Sequence, residues 1–173
     1  MNCYKASPRS RNDIRRFVRY IKQLTHLENE LEFPIMIFFE NILPTLISEF
    51  SMEIVPVSEM GNKHGETYPS KNLIRIREDV YERACAGSGR DKLTIAHEIG
   101  HLLMHDEDCV ALCRLAPNEK LKAYEDPEWQ ANAFGGELLA SSYLIKDMTI
   151  AEVQRKCGVS EDAARVQLNS LNR

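Results

Sequence analysis

One stretch of the sequence, residues 91–105, constrains the fold more than any other, because it is apolar on almost every side of a predicted helix. Its apolar residues at helical spacing are Leu93, Ile95, Ala96, Ile99, Leu102 and Leu103. A helix that is hydrophobic nearly all round is buried within the protein. The polar side chains of His97, Glu98 and His101 must therefore find partners inside the protein, since unpaired polar groups are costly to bury.

His97 and His101 stand four residues apart, so their side chains project from one face of a helix. At this spacing two imidazoles can bind one zinc ion (Zn²⁺), each at about 2.0–2.1 Å. Glu98 lies beside the first histidine, where its carboxylate can reach a water molecule on the metal rather than the metal itself. This HExxH arrangement is typical of zinc-activated water with glutamate as the general base. The apolar neighbours disfavour the alternative, in which the three residues form a polar edge of the core.

A third metal ligand has to come from outside this pair, and the candidates nearest in sequence are poorly placed. His105 continues the spacing of four, but it lies eight residues beyond His97, or ~12 Å along a helix. It is therefore not expected to share a tetrahedral site with both histidines. Glu107 would require a sharp turn directly after the helix, and Met104 does not supply the glycine that such a turn uses.

Glu128 is the preferred third ligand, because it lies in the first turn of a strongly indicated helix. Asp126 is suited to cap this helix and Pro127 to begin it, and the helix dipole favours an ionised carboxylate in the first turn. Glu125 and Asp126 are nearby alternatives, although capping already accounts for Asp126. Glu137 lies further along and is expected at the surface or behind the ligands. Three small residues would let this helix approach the histidine helix closely: Ala131, Gly135 and Gly136.

The cysteines and the charge indicate a protein of the cytoplasm. Five cysteines are an odd set without the rhythm of a disulfide scaffold, and the N-terminus has no apolar export signal. His105, Cys109 and Cys113 stand at steps of four and would suit a second metal, but the acidic residues 106–108 favour a frayed helix with free thiols. The longest apolar run, residues 35–39, is too short to span a membrane. A net charge of −4 does not favour direct binding to nucleic acid.

The whole chain, residues 1–173, is predicted to form one α+β domain, mostly helical with a small antiparallel or mixed sheet and a zincin-like active-site helix. Its three parts are N-terminal helices at 10–50, a catalytic core at 52–145 and a C-terminal helical pair at 149–171. The predicted helices are 10–32, 35–50 with a kink at Pro44, 91–105, 126–140, 149–156 and 160–171. The predicted strands are 52–57 and 73–77, and the predicted loops are 61–65 and 106–125, the second with at most one short helix.

Two of these elements invite a functional interpretation. Residues 73–77 are interpreted as a half-exposed edge strand beside the cleft, where an extended substrate would bind by strand addition. The C-terminal pair faintly resembles a helix-turn-helix, but Glu161, Asp162 and a single Arg165 suit a phosphate backbone poorly. We therefore interpret that pair as a structural element that closes the domain.

At two segments the sequence resembles the ImmA/IrrE family of metallo-endopeptidases. Residues 89–105 (GRDKLTIAHEIGHLLMH) look like the active-site helix of that family, and residues 126–139 (DPEWQANAFGGELL) look like its second helix. The likeness extends from about residue 52 to residue 171. It implies zinc bound by His97, His101 and Glu128, with Glu98 as the catalytic glutamate. The chain departs from the family's usual residues, without touching an expected ligand, at Leu93, Gly135, Ala140 and Ser141.

The resemblance also implies a substrate class. Members of the family cleave DNA-binding repressors of the helix-turn-helix type, and some relatives act in toxin–antitoxin-like pairs, often in phages, mobile elements or stress regulons. The expected function is therefore an intracellular, zinc-dependent, site-specific endopeptidase that cleaves a repressor or an antitoxin. The alternative is a non-catalytic, zinc-stabilised binding or toxin module that acts by association. Glu98 favours catalysis, because a binding module needs no carboxylate there; for the oxyanion, only Tyr124 and Tyr143 are considered.

Overall fold

The computed structural model of the chain describes residues 2–105, 110–114 and 121–172, and within these ranges it is an α+β fold dominated by helices. The strands are β1 (Asn2–Ala6), β2 (Ser51–Val55), β3 (Gly65–Tyr68), β4 (Leu73–Arg77) and β5 (Val110–Arg114). The α-helices are α1 (Arg11–Leu24), α2 (Ile35–Ile37), α3 (Leu43–Leu46), α4 (Val57–Met60), α5 (Glu78–Cys85), α6 (Gly89–Met104), α7 (Pro127–Leu139), α8 (Ser142–Ile145), α9 (Ile150–Cys157) and α10 (Glu161–Asn169). The predicted fold class is confirmed.

A mixed three-stranded sheet has the order β2-β4-β3, with β4 parallel to β2 and antiparallel to β3. Ile74 and Ile76 of β4 are fully buried, which accounts for the partial alternation seen in the sequence. The prediction that residues 73–77 form an edge strand is wrong, because β4 is paired on both sides. The edge strands of this sheet, among the described residues, are β2 and β3. The sequence did not predict β3, because Gly-Glu-Thr-Tyr has no apolar alternation.

A second, two-stranded sheet pairs β1 with β5 in antiparallel register, from Asn2 opposite Arg114 to Ala6 opposite Val110. The prediction that residues 106–125 are a loop is therefore wrong at β5. The pairing joins segments more than one hundred residues apart, so neither strand carries the local turn signal that marks a hairpin. The rest of that predicted loop contains the 3-10 turn Ala123–Glu125 in its described part.

The N-terminal helices are shorter than their apolar spacing suggested. Ser10 and Asp13 form a capping box at the start of α1. The helix ends at Leu24 rather than at residue 32, because His26 takes a left-handed φ of 57° and the backbone N–H of Leu27 donates back to the Lys22 carbonyl oxygen. The predicted helix 35–50 ends at Leu46. Its irregularity is a π-helical segment, Phe38–Ile42, placed just before Pro44, which has no N–H to continue the helical hydrogen bonds.

Helices α6 and α7 pack closely because small residues line their contact. A Cβ atom on Gly100 would lie 3.0 Å from Phe134 Cδ1 and 3.2 Å from Ala131 Cα. A Cβ atom on Gly135 would lie 3.2 Å from the backbone nitrogen of His97. The predicted approach through Ala131 and Gly135 is confirmed, whereas Gly136 faces Gln167 of α10 instead. The backbones of the two helices can therefore come together at the histidines.

The C-terminal helices are confirmed within two or three residues of their predicted bounds. Thr149 and Glu152 form a capping box at α9, Gly158 turns the chain at a φ of 63°, and Ser160 caps α10. Gln167 donates to the buried carboxylate of Glu137, which joins α10 to α7. In the described part of the chain, no helix has both the length and the apolar character needed to cross a membrane.

Lys22 is the most unfavourable buried charge in the described core. Its side chain is fully buried in α1, its Nζ atom has no hydrogen-bond partner among the described residues, and the ring of Phe33 lies 4.9 Å away. Burial lowers the pKa of Lys22 from 10.5 to about 8. At neutral pH the protein therefore holds this ammonium against the preference of its surroundings.

We expect Lys22→Met to raise the free energy of unfolding at pH 7 by about 1–3 kcal/mol, because an apolar side chain of similar length replaces a desolvated charge. The folded state of the wild type loses its proton near pH 8 and the unfolded state near 10.5, so wild-type stability rises between these values. The difference in the free energy of unfolding between Lys22→Met and wild type should therefore become smaller from pH 8 to pH 10.5. Chemical denaturation at pH 7 and pH 10 measures both effects, and an equal advantage at both values would contradict the assignment.

Candidate metal centre

Helix α6 is anchored at its N-terminus before it reaches the histidines. Ser88 caps the helix by accepting from the backbone N–H of Asp91, and its hydroxyl donates to the Asp91 carboxylate at 2.6 Å. The guanidinium group of Arg83 in α5 donates two hydrogen bonds of 3.0 Å to the same carboxylate. Because Asp91 is buried, this ion pair fixes the start of α6 against α5 and so sets where the later turns of the helix lie.

Three predicted ligands converge at one point between α6 and α7. The Nε2 atoms of His97 and His101 lie 3.0 Å apart, and each is 3.3 Å from a carboxylate oxygen of Glu128. A tetrahedral metal with ligands at about 2.0–2.1 Å holds its donor atoms about 3.3–3.4 Å apart. The two imidazole nitrogens and the carboxylate therefore fit a single metal ion, and all three donors lie within 4.8 Å of one another.

Glu128 reaches the histidines from the first turn of α7. Asp126 accepts from the backbone N–H of Glu128 at 2.9 Å, so it caps the helix, as its sequence position predicts. Hydrogen bonds with His101 and His97 hold the pKa of Glu128 below its usual range, which keeps the carboxylate ionised, the form that binds a metal. The Glu128 side chain is 68% exposed, so the donor set is open towards solvent on this side.

The alternative acidic ligands lie elsewhere or outside the described residues. Glu125 forms an ion pair with Lys5 at 2.8 Å. Glu137 is buried and accepts hydrogen bonds from Ser142 and Gln167, so the expectation that it lies at the surface is wrong. Two alternatives that the sequence disfavoured, Glu107 as a ligand and Cys109 in a second metal site, fall outside the described residues, as does the side chain of Cys113.

Glu98 stands apart from the three donors, and strand β3 holds its carboxylate. The hydroxyl of Thr67 donates to Glu98 Oε2 at 2.6 Å, a short charge-assisted hydrogen bond. A Cβ atom on Gly65 would lie 2.7 Å from Glu98 Cγ and Oε1, so only glycine leaves room for this side chain. Sequence reasoning missed both residues, because β3 itself carried no signal.

A cleft of about 410 Å³ opens beside the donors, between β3 and α6. His97 and Glu98 contribute to its wall, and the other lining residues are Asn62, His64, Gly65, Arg90, Leu93, Thr94 and Asn132. Neither Tyr124 nor Tyr143 is among these lining residues, and the Tyr143 hydroxyl donates to the backbone oxygen of Glu28 instead. The cleft therefore brings a bound molecule to the Glu98 carboxylate and to one of the histidines.

The second ring nitrogen of each histidine also has a partner. His97 Nδ1 lies 3.1 Å from Asn132 Oδ1, and His101 Nδ1 lies 3.0 Å from His105 Nδ1. His105 is thus outside the donor set, at the end of α6, and burial lowers its pKa to about 4. Asn132 and Gln130, which contacts His105, were not predicted, although Asn132 lies one helical turn beyond Glu128 and so on the same face of α7.

The chain matches the model of a known protein family. The model of a peptidase family described as the IrrE N-terminal-like domain matches residues 32–169, which is more than half of the chain. This range contains the complete donor set, Glu98 and the cleft. A search of curated proteins returned no match.

We expect the purified protein to bind one metal ion per chain, and His97→Ala, His101→Ala and Glu128→Ala each to lose most of it, because a site with two protein ligands holds the ion weakly. Metal content after dialysis, with circular dichroism to check folding, measures this. Glu125→Ala is the matched control and should keep the metal, since that carboxylate pairs with Lys5. Full metal content in Glu128→Ala would remove Glu128 from the ligand set.

Proposed function

The chain belongs to the peptidase family of IrrE N-terminal-like domains, and from this premise we propose that it is a zinc-dependent endopeptidase that cleaves a helix-turn-helix repressor or an antitoxin. One observation carries the proposal: three donors suited to a single zinc ion stand beside a fourth polar group, Glu98, that is held for another task. The ligands in this proposal are His97, His101 and Glu128.

Zinc suits this donor set better than a harder cation does. Two imidazoles and one carboxylate are ligands of zinc enzymes, whereas calcium and magnesium prefer oxygen ligands throughout. The open, exposed side at Glu128 is typical of catalytic rather than structural zinc sites, which have four protein ligands. When bound, zinc polarises a peptide carbonyl group and makes water a better nucleophile at neutral pH.

The task of Glu98 is proton transfer. Its carboxylate takes a proton from the attacking water as the oxygen bonds to the peptide carbon, and it then passes that proton to the departing amide nitrogen when the C–N bond breaks. Thr67 donates to Oε2, which fixes the orientation of the carboxylate and leaves Oε1 beside Gly65 at the cleft. A side chain at position 65 would displace the carboxylate from this place, because a Cβ atom there would lie 2.7 Å from Oε1.

Strand β3 is suited to position the substrate. Within the described residues it is an edge strand, paired with β4 along one side, and its residues Gly65 and Thr67 contact Glu98. An extended peptide that adds to the free side of β3 would have its backbone held by the strand in front of the carboxylate. This replaces β4 as the strand for substrate addition and favours substrates that offer an extended, accessible segment.

The repressor or antitoxin as substrate follows from the family resemblance, and such a target places the peptidase in the cytoplasm. The net charge of −4 and the acidic start of α10 support contact with a DNA-binding protein rather than with DNA. The second candidate is a zinc-stabilised module that acts by association. The hydrogen bond between Thr67 and Glu98 favours catalysis, because a binding module gains nothing from a carboxylate aimed at the cleft.

We expect Glu98→Gln to keep zinc and fold but to lose cleavage, because the amide cannot take the proton; the general-base contribution alone is worth roughly 10²–10⁴ in rate. The substrates to test are helix-turn-helix repressors, including any that is encoded beside this gene, and a library of proteome-derived peptides, read by mass spectrometry. Wild type should yield discrete fragments. In cells, wild type but not the variant should relieve repression.

Two outcomes would contradict the proposal in different ways. If Glu98→Gln relieves repression as well as wild type, the protein works by binding its partner. If the zinc-loaded wild type cleaves neither the repressors nor any peptide of the library, it is not an endopeptidase. A repressor left intact while library peptides are cut would change the substrate but keep the reaction.

Thr67→Val should lower kcat for a cleaved peptide roughly tenfold or more, because Glu98 loses a hydrogen bond to a charged group worth about 1.5–3 kcal/mol. Valine keeps the shape and the strand preference of threonine, so the sheet and the zinc content should not change. Thr67→Ser retains the hydroxyl and is the control, with kcat near that of wild type. Equal kcat in Thr67→Val and Thr67→Ser would show that the hydroxyl does not orient Glu98.

A further inference from the structure

We propose that His105 and Gln130 are positioning residues that fix where the hydrogen of His101 lies, and so keep His101 Nε2 bare for the metal. The proposal rests on the ligand set of the proposed function and adds two residues to it that touch neither metal nor substrate. It follows from a chain of hydrogen bonds in which the role of each donor and acceptor can be assigned in turn.

The chain of hydrogen bonds begins at Gln130, whose side chain is fully buried in α7. Its Nε2 atom donates to the backbone oxygen of Ser7 at 2.9 Å and to that of Tyr124 at 2.8 Å. Backbone oxygens only accept hydrogen bonds, so both hydrogens of the amide are used and the orientation of the amide is determined. Its oxygen, Oε1, is therefore the atom that faces His105.

The next link is His105, which is 3% exposed. Its Nε2 atom lies 3.0 Å from Gln130 Oε1, and because an amide oxygen only accepts, His105 Nε2 must carry a hydrogen. With its single imidazole hydrogen at Nε2, the ring presents a lone pair at Nδ1. That lone pair points at His101, whose Nδ1 atom is 3.0 Å away.

The last link determines which ring nitrogen of His101 carries the hydrogen. Only one hydrogen fits between the two Nδ1 atoms, and if His105 supplied it, His101 would carry its own hydrogen at Nε2 and could not bind a metal. With the hydrogen on His101 Nδ1, the Nε2 atom is bare where it faces Glu128 and His97. The second nitrogen of a metal-binding histidine usually has a carboxylate, a carbonyl oxygen or water as its partner; here the partner is another histidine.

The other ligand, His97, provides a contrast. Its Nδ1 atom donates directly to Asn132 Oδ1 at 3.1 Å, and Asn132 is exposed, so water can replace that partner. His105 and Gln130 are both buried, whereas Asn132 is exposed. Solvent therefore replaces a lost acceptor less readily at His105 than at Asn132, which makes this the more sensitive of the two arrangements.

The test compares His105→Asn with His105→Leu. The two side chains have nearly the same shape, but only asparagine offers an oxygen acceptor close to the place of His105 Nδ1. Zinc affinity, measured by competition with a chromophoric chelator, should fall about 10–100-fold in His105→Leu and recover most of that loss in His105→Asn. Both variants should still bind one zinc per chain at saturation, because the ligands are unchanged. Equal affinity of His105→Leu and wild type would overturn the proposal.

A second measurement uses the wild-type protein. Nitrogen-15 NMR of the histidine rings in the zinc-loaded wild type should find hydrogens at His101 Nδ1 and His105 Nε2 and none at His105 Nδ1. A hydrogen at His105 Nδ1 would overturn the proposal. His101→Ala distinguishes a failure of the ligand set from a failure of the positioning role. If His101→Ala binds zinc as wild type does, the ligand set of the proposed function is wrong. If His101→Ala loses zinc while His105→Leu keeps the zinc affinity of wild type, only the positioning role is wrong.

Discussion

The close contact between α6 and α7 is the constraint on which the rest of the structure depends. A Cβ atom at Gly100 or Gly135 would lie only 3.0–3.2 Å from the facing helix, and its absence lets the two backbones approach at the level of His97 and His101. Helix α7 then supplies three of the described partners of the histidine rings: Glu128, Gln130 and Asn132. Packing of small residues and assembly of the polar site are therefore one event, because the same register between the helices sets both.

The two helices carried enough local information to be predicted, and so did the donor set. The spacing of His97 and His101, the cap at Asp126 and the first-turn position of Glu128 depend on residues close in sequence, and the structure brings all three side chains together. What the sequence could not provide was β3. Gly65 and Thr67 become meaningful only when the chain returns to β4 and lies against α6, a long-range contact without a local pattern.

The same physical reason explains the other misses. β1 and β5 pair across almost the whole chain, so each strand depends on a partner that no window of residues contains. The helix ends have a local cause instead: α1 ends at the left-handed turn of His26, and the following helix ends where Ile47 becomes extended, although the apolar spacing continued beyond both. Gln130 looked like an ordinary polar residue of α7, and its role emerges only from two backbone oxygens at Ser7 and Tyr124.

The glycines at the helix crossing have a further consequence for cooperativity. A glycine inside a helix costs roughly 0.5–1 kcal/mol relative to alanine, so α7, with Gly135 and Gly136 in its interior, is a poor helix when isolated from α6. In the unfolded chain Glu128 then has no preference for the neighbourhood of His97 and His101, and the donor set exists only in the native state. An ion bound by these three residues adds its binding free energy to folding through mass action, about 1.4 kcal/mol for each tenfold excess over its dissociation constant. The concentration of such an ion would therefore set the stability of the folded protein as well as the occupancy of the site.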